Sequence, residues 1–280
     1  MSAAAPPPTA VSPPTAAPAT APASKPAAPP PKASPPRPRV RELHDSGTVR
    51  KESVDADRWF ASGLVKVTGD ANLGEGKLDG TVSIGGHLNA ATARYHGGLE
   101  VDGAVEVSGA LTGTGTLGVG STLRAGTAEL KGSVRVHGTL TVDRSLKVNG
   151  SLAAPSATVG ELDLEGEARI PGDLTAFRVQ TFLKENSSFG TVRARAVTLK
   201  GKPTNLVEKV FFRHRRILVE RVEADEAEFE AVEVTFVRAP KITLGRDAHL
   251  TEYEGTIVKQ HPSSRVGFES KSEPPYGLRR

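Results

Sequence analysis

The sequence predicts an all-β protein, a parallel β-helix in which each coil consists of three short strands. Aliphatic residues recur every six positions, a second apolar residue follows two positions after most of them, and glycines separate the units. The clearest run of the six-residue series comprises Leu99, Val105, Leu111, Leu117 and Leu123. Alternation of apolar and polar residues is typical of a strand, and a glycine every six residues turns the chain before a helix can form.

Three such strands make a coil of about 18 residues, and coils stacked at roughly 4.8 Å build a solenoid. The series slips once, at Gly126 to Ala128, and residues 63–176 supply about six coils. The run from Ala90 to Gly98 interrupts the spacing and is predicted to bulge as a loop. Because each coil is stabilised mainly by its neighbours, the two end coils present apolar side chains and unpaired backbone groups.

The composition divides the chain into a tail and a repeat region. Fourteen of the 21 prolines lie in the first 38 residues, and 22 of the 29 glycines lie between Gly63 and Gly172. Residues 1–40 are predicted to be a disordered, Pro/Ala-rich basic tail, because they hold too little apolar surface to offset chain entropy. A basic proline-rich cluster in this tail indicates docking to a partner protein or an anionic membrane surface, with a solvated spacer as the alternative. The cluster comprises Lys32, Arg37, Arg39 and Arg41.

Residues 41–62 are predicted to form a linker and an N-terminal cap. They include the only tryptophan of the chain, Trp59, which precedes Phe60. The first coil of a solenoid has an apolar end that something must cover. We therefore expect these two aromatic residues to cap that end or to take part in self-association, and a partner-binding aromatic pair is the alternative.

Residues 191–260 are predicted to form a second β-helix segment, in which glycine is scarce. Glutamates alternate with apolar residues across 224–232, which favours a strand over a helix there. The last residues, 261–280, are predicted to be a loose C-terminal tail.

A basic insertion at 202–216 interrupts this second segment. It carries the sequence Arg-His-Arg-Arg, whose arginines Arg213, Arg215 and Arg216 are candidate partner-docking residues. Its position outside the repeat indicates a role distinct from that of the regular coils.

Composition excludes several classes of function. The chain has no cysteine, which excludes disulfides, thiol nucleophiles and zinc–thiolate sites. The net charge of +4 is small for 280 residues, and we expect no nucleic-acid partner. No run of about 18 apolar residues is present, so we expect no membrane-spanning helix. The expected location is cytoplasmic, with membrane association through the tail as a further expectation.

Catalytic residues are not expected. The seven histidines share no metal-ligand spacing, so we expect no catalytic residue, no cofactor and no metal site. A general base at His96 or His137 is the alternative. Asp163, Glu165 and Glu167 alternate with apolar residues, as on a solvated strand face, rather than forming a glycosidase carboxylate pair. The chain is therefore predicted not to be an enzyme.

The repeated phrase Gly-x-Leu-x-Val, as in Gly-Thr-Leu-Thr-Val-Asp from Gly138, resembles the bactofilins over residues 63–190. This resemblance implies a right-handed β-helix that polymerises without nucleotide into cytoskeletal filaments, so that its main partner is itself. The segment from Phe182 to Gly190 is similar to the closing sequence of that family. The resemblance therefore implies that Phe189 lies at a terminal coil and that Phe182 and Phe189 take part in self-association.

Two alternatives stay open. A left-handed β-helix acyltransferase of the hexapeptide-repeat type would be a trimer, but its aliphatic residues are usually followed by a small residue. Here Glu106, Thr141 and Lys147 follow them. A monomeric β-helix binding scaffold results if the C-terminal segment and its arginine-rich insertion block stacking.

Overall fold

A computed structural model of the chain describes residues 40–184, 186–201 and 217–270. Within these ranges the chain forms thirteen strands and no helix, and all strands belong to one parallel sheet in sequential order. This arrangement is a β-solenoid and confirms the predicted parallel β-helix. The predicted tail, with Lys32, Arg37 and Arg39, and the basic insertion, with Arg213, Arg215 and Arg216, lie outside the described residues.

The strands follow one another with short turns between most of them. They are β1 Val40–Lys51, β2 Val54–Val67, β3 Ala71–Ile84, β4 Leu88–Val101, β5 Val105–Val119, β6 Leu123–Val136, β7 Thr139–Ala153, β8 Ser156–Leu183, β9 Ser188–Gly201, β10 Leu218–Glu230, β11 Glu233–Leu244, β12 His249–Gln260 and β13 Arg265–Glu269. From β1 to β8, side chains aligned in adjacent coils are 16 to 18 residues apart, as in Asn149–Glu165, Asn72–Asn89 and Arg94–Thr112. The observed period therefore agrees with the predicted coil.

Each coil turns three pairs of side chains into the core. In β6 these pairs are Leu123 with Ala125, Ala128 with Leu130, and Val134 with Val136, each at most 4% exposed. Each pair lies on one of the three short strands that the six-residue spacing predicts for a coil. Aligned inward residues of successive coils form continuous columns, called inward rows here. These rows make up the hydrophobic core.

A ladder of stacked glycines forms one corner of the solenoid. It comprises Gly47, Gly63, Gly80, Gly97, Gly115, Gly132, Gly150 and Gly166. All eight have positive φ angles, from +79° to +142°. From the second member onward, a Cβ atom would collide with the carbonyl oxygen of the preceding ladder glycine. Only glycine combines this backbone conformation with such a close approach of neighbouring coils.

The solenoid begins earlier than predicted. Residues 41–62, expected to be a linker and cap, belong to β1 and β2, which pair in register from Val40 to Lys51. The physical reason is the ladder, because Gly47 aligns with Gly63 and extends the corner by one coil. The predicted repeat start at Gly63 is therefore wrong.

Two predicted irregular segments are also strands. The expected loop from Ala90 to Gly98 lies within β4 and pairs with β3, and Tyr95 in it is buried. Part of the expected loose tail after His261 forms β13, which pairs with β12. The acidic stretch across 224–230 is a strand, as its alternation indicates, and β9 to β12 continue the same ladder.

Candidate self-association surfaces

The histidines and acidic side chains of the described residues are considered first as candidates for a metal site or for catalysis. Among the residues that the structure describes, no three His, Asp or Glu side chains are grouped so that they could hold a metal ion. His96 and His137, considered as general bases, are both exposed. His96 aligns with Asp79 and Thr114 beside the glycine ladder, whereas His137 follows β6 at another corner.

Both ends leave strand edges open within the described residues. β1 pairs only with β2, and the second half of β12 pairs only with β11 because β13 stops opposite Tyr253. An open edge presents backbone N–H and C=O groups that can pair with another chain. The side chains at the ends of the inward rows determine the free energy of stacking another chain on these edges.

At the N-terminal end, two charged residues occupy inward rows. Asp45 aligns with Ala61 of β2, and Lys51 aligns with Val67. The Asp45 side chain is only 8% exposed; it accepts a hydrogen bond from the Trp59 indole N–H at 2.8 Å and lies 3.1 Å from the Lys51 Nζ atom. Leu43 and Val49 are the half-buried apolar neighbours of this pair in β1.

Trp59 and Phe60 do not form an exposed pair. Trp59 is fully buried in β2, one coil inside the N-terminal end, and its N–H is used by Asp45. Phe60 is half-buried, and its ring stacks on His44 with centroids 4.8 Å apart. Trp59 as a self-association residue is therefore wrong, because the extra coil β1 covers it. Arg41, from the predicted basic cluster, is exposed on β1.

The C-terminal end is mixed in polarity. Tyr253, Ile257 and Val266 are partly buried against the core. Val258 and Phe268 are 59% and 62% exposed. Polar residues occupy two inward rows here as well, since Gln260 aligns with Leu244 and Glu269 aligns with Tyr253. This end therefore combines exposed apolar surface with polar ends of inward rows.

Phe182 and Phe189 lie in different environments. Phe189 is 2% exposed, and its strand β9 pairs with β8 on one side and β10 on the other. The predicted place of Phe189 at a terminal coil is therefore wrong, because four further strands follow β9. Phe182 is 47% exposed on the outside of β8, beside Lys200. An exposed aromatic side chain at this position is compatible with a lateral contact but not with an end contact.

Comparison with protein-family models, with curated proteins and with solved structures finds no match to this chain. Across the residues that the structure describes, no helix has the length and apolar character needed to cross a membrane.

Sequence reasoning missed Asp45 and Lys51. They lie outside the apolar pattern, and a search for alternating apolar residues passes over them. The signal that locates them is the spacing of Gly47 and Gly63, which sets the register of β1 on β2. In this register, Asp45 aligns with Ala61 and Lys51 aligns with Val67.

Proposed function

We propose that this protein is a non-enzymatic structural protein that self-associates end to end into nucleotide-independent filaments of a cytoskeletal type. The observation that carries the proposal is the uninterrupted parallel ladder from β1 to β12, whose strand edges and inward rows are open at both ends of the described solenoid. Stacking a second copy there would extend the same ladder. Repeat proteins require capping because their terminal repeats expose such surfaces.

The bactofilin resemblance of the repeat supports the same function, including a role in cell shape. In this proposal the protein is cytoplasmic and the Pro-rich tail is a tether or docking arm. Arg41, the last residue of the basic cluster, is exposed on β1. An anionic membrane surface or an acidic partner protein fits this charge.

Negative-stain electron microscopy of the purified full chain tests the proposal. We expect filaments without added nucleotide, and unchanged filaments when ATP or GTP is supplied. A variant lacking residues 1–38 separates assembly by the solenoid from any contribution of the tail. Monodisperse monomers at high protein concentration, measured by sedimentation velocity, would overturn end-to-end assembly.

A monomeric binding scaffold is the second candidate. Polar residues in the terminal inward rows, such as Asp45 and Gln260, oppose dry stacking of two ends. An open groove of about 540 Å³ lies on the outside of the coils from β3 to β7. Its polar lining includes Asn72, Asn89, Glu106, Arg124 and Asp143. Stable monomers in the experiment above would favour this candidate.

A further inference from the structure

We propose that Asp45 and Lys51 form a polar plug that weakens the stacking of a second copy on the N-terminal end of the solenoid. This inference rests on the proposed end-to-end assembly and identifies the end that limits it. The plug is defined here as the Asp45 carboxylate and the Lys51 ammonium, together with the Trp59 indole N–H that holds the carboxylate.

The inward rows show that both positions are unusual. The row that begins with Asp45 continues with uncharged residues through the next seven coils: Ala61, Leu78, Tyr95, Gly113, Leu130, Val148 and Leu164. The row that begins with Lys51 continues with aliphatic residues: Val67, Ile84, Val101, Val119 and Val136. Between β1 and these last named residues, charge occurs in the two rows only in the end coil.

Covering this end has a desolvation cost. The Lys51 side chain is still 27% exposed, whereas that of Asp45 is 8% exposed. A second copy stacked on β1 would remove the remaining water from both groups, and burying an ion pair costs free energy unless new hydrogen bonds replace that water. Inward-pointing charged residues at sheet edges are a known means of opposing edge-to-edge association.

The other end lacks an equivalent pair in the corresponding rows. The row of Lys51 ends in Val266, which is half-buried and apolar, and the row of Asp45 passes through Leu244 and ends in Gln260, which is polar, uncharged and exposed. Glu269 is charged and lies in an inward row, but it is exposed to solvent on the short strand β13. Stacking that involves the N-terminal end therefore buries the charged pair, and this cost raises the threshold for assembly.

The double variant Asp45→Asn/Lys51→Met removes the plug without changing the net charge. The introduced asparagine keeps an acceptor for the Trp59 N–H, and the introduced methionine keeps most of the length of the lysine side chain. The matched control Lys147→Met/Asp163→Asn makes the same replacements in an ion pair on the outer face, 3.7 Å apart and about 60% exposed. Pelleting and light scattering across a concentration series give the threshold for filament formation, and circular dichroism confirms folding.

We expect the plug variant to lower the threshold roughly tenfold or more, since the contact no longer buries two ions, while the control leaves it unchanged. A second variant, Val266→Lys, places a lysine in the same inward row at the opposite end and is expected to raise the threshold. Because Val266 lies far from the N-terminal coil, this variant tests the effect of an end charge even if the plug variant disturbs the folding of that coil.

The outcomes separate this inference from the proposed function. Wild-type filaments with an unchanged or higher threshold in the plug variant would overturn the plug and leave end-to-end assembly standing. Wild-type monomers together with filaments of the plug variant would support the plug and overturn assembly of the natural chain. Failure of both proteins to assemble would overturn both proposals.

Discussion

Tyr95 in β4 packs its ring into the space left by Gly113, the residue aligned with it in β5. A Cβ atom at Gly113 would overlap the Tyr95 ring. The tyrosine is 1% exposed, and its neighbours in the same inward row are Leu78 and Gly113. The large side chain of Tyr95 in one coil is therefore accommodated by the absence of a side chain at Gly113 in the next coil.

Replacing Gly113 by alanine should destabilise the solenoid. The added methyl group has no space beside the Tyr95 ring, and overpacking of a core costs about 1–3 kcal/mol. The control is Gly118→Ala in the same strand, where the new Cβ would make an ordinary contact of 3.7 Å with Glu100 Cγ. Chemical unfolding followed by circular dichroism measures both. Equal stability of the two variants would contradict this account of Tyr95.

Tyr95→Phe should leave the stability unchanged or raise it. The Tyr95 hydroxyl is buried without a hydrogen-bond partner among the described residues, and burial raises the pKa of Tyr95 to about 12. Burying an unpaired hydroxyl is costly, so its removal should gain up to about 1 kcal/mol. Tyr95→Ala, which removes the ring, is the contrasting variant and should lose about 3 kcal/mol or more. A clear loss of stability in Tyr95→Phe would indicate a partner for the hydroxyl.

The glycine ladder gives a prediction with an adjacent control. Gly97 has φ +112°, and a Cβ there would overlap the carbonyl oxygen of Gly80. Gly97→Ala should therefore lower the free energy of unfolding by at least about 2 kcal/mol. At Gly98 a Cβ would meet only the Thr81 side chain at 3.8 Å, so Gly98→Ala should be nearly neutral. Similar melting temperatures for the two variants would show that the corner relaxes.

The core of this fold was predictable because its pattern is local. Each inward pair is visible in a few residues of sequence, and Leu99 and Leu117 are buried as the six-residue spacing indicates. The burial of Tyr95 and Trp59 does not follow from this spacing, because an aromatic residue breaks the aliphatic pattern. For Tyr95 the compensation lies one coil away, at Gly113. Such pairing between coils is invisible until the register is known.

The end surfaces were less predictable than the core. The resemblance of a short segment to the bactofilin closing sequence predicts a terminal coil at Phe189. The ladder instead continues through β10, which pairs directly with β9. At the other end, Asp45 is polar and lies outside the apolar pattern, so the pattern indicates Trp59 as the end residue instead. An end coil departs from the repeat pattern because one of its sides contacts solvent instead of another coil. Pattern recognition is therefore weakest at the surfaces proposed for assembly.

Phe189 should act as a core residue in mutagenesis. Phe189→Ala should lower the free energy of unfolding by about 3–5 kcal/mol, the usual cost of removing a buried phenylalanine ring. Phe182→Ala, at a site 47% exposed, is the control and should change it by no more than about 0.5 kcal/mol. Chemical unfolding compares them. Full stability of Phe189→Ala together with loss of filaments would instead restore Phe189 to an end contact.

Acid should weaken one ion-pair network in the C-terminal half. Glu223 accepts hydrogen bonds from Arg221 at 2.7 Å and from Arg193 at 3.1 Å, and these bonds hold the pKa of Glu223 below its usual 4.5. A carboxyl group with a lowered pKa in the folded state contributes stability above the unfolded pKa, and that contribution is lost as the pH falls through the folded pKa.

The difference in melting temperature between the wild type and Glu223→Gln should therefore be present at neutral pH and shrink below pH 4.5. The Glu223 side chain is 29% exposed, so the difference should be small and should shrink further in high salt. Glu129→Gln is the control, because Glu129 has a 3.7 Å contact with Lys131 on an exposed face. A difference for Glu223→Gln that persists unchanged at low pH would show that packing, rather than charge, connects Glu223 to the stability of β10.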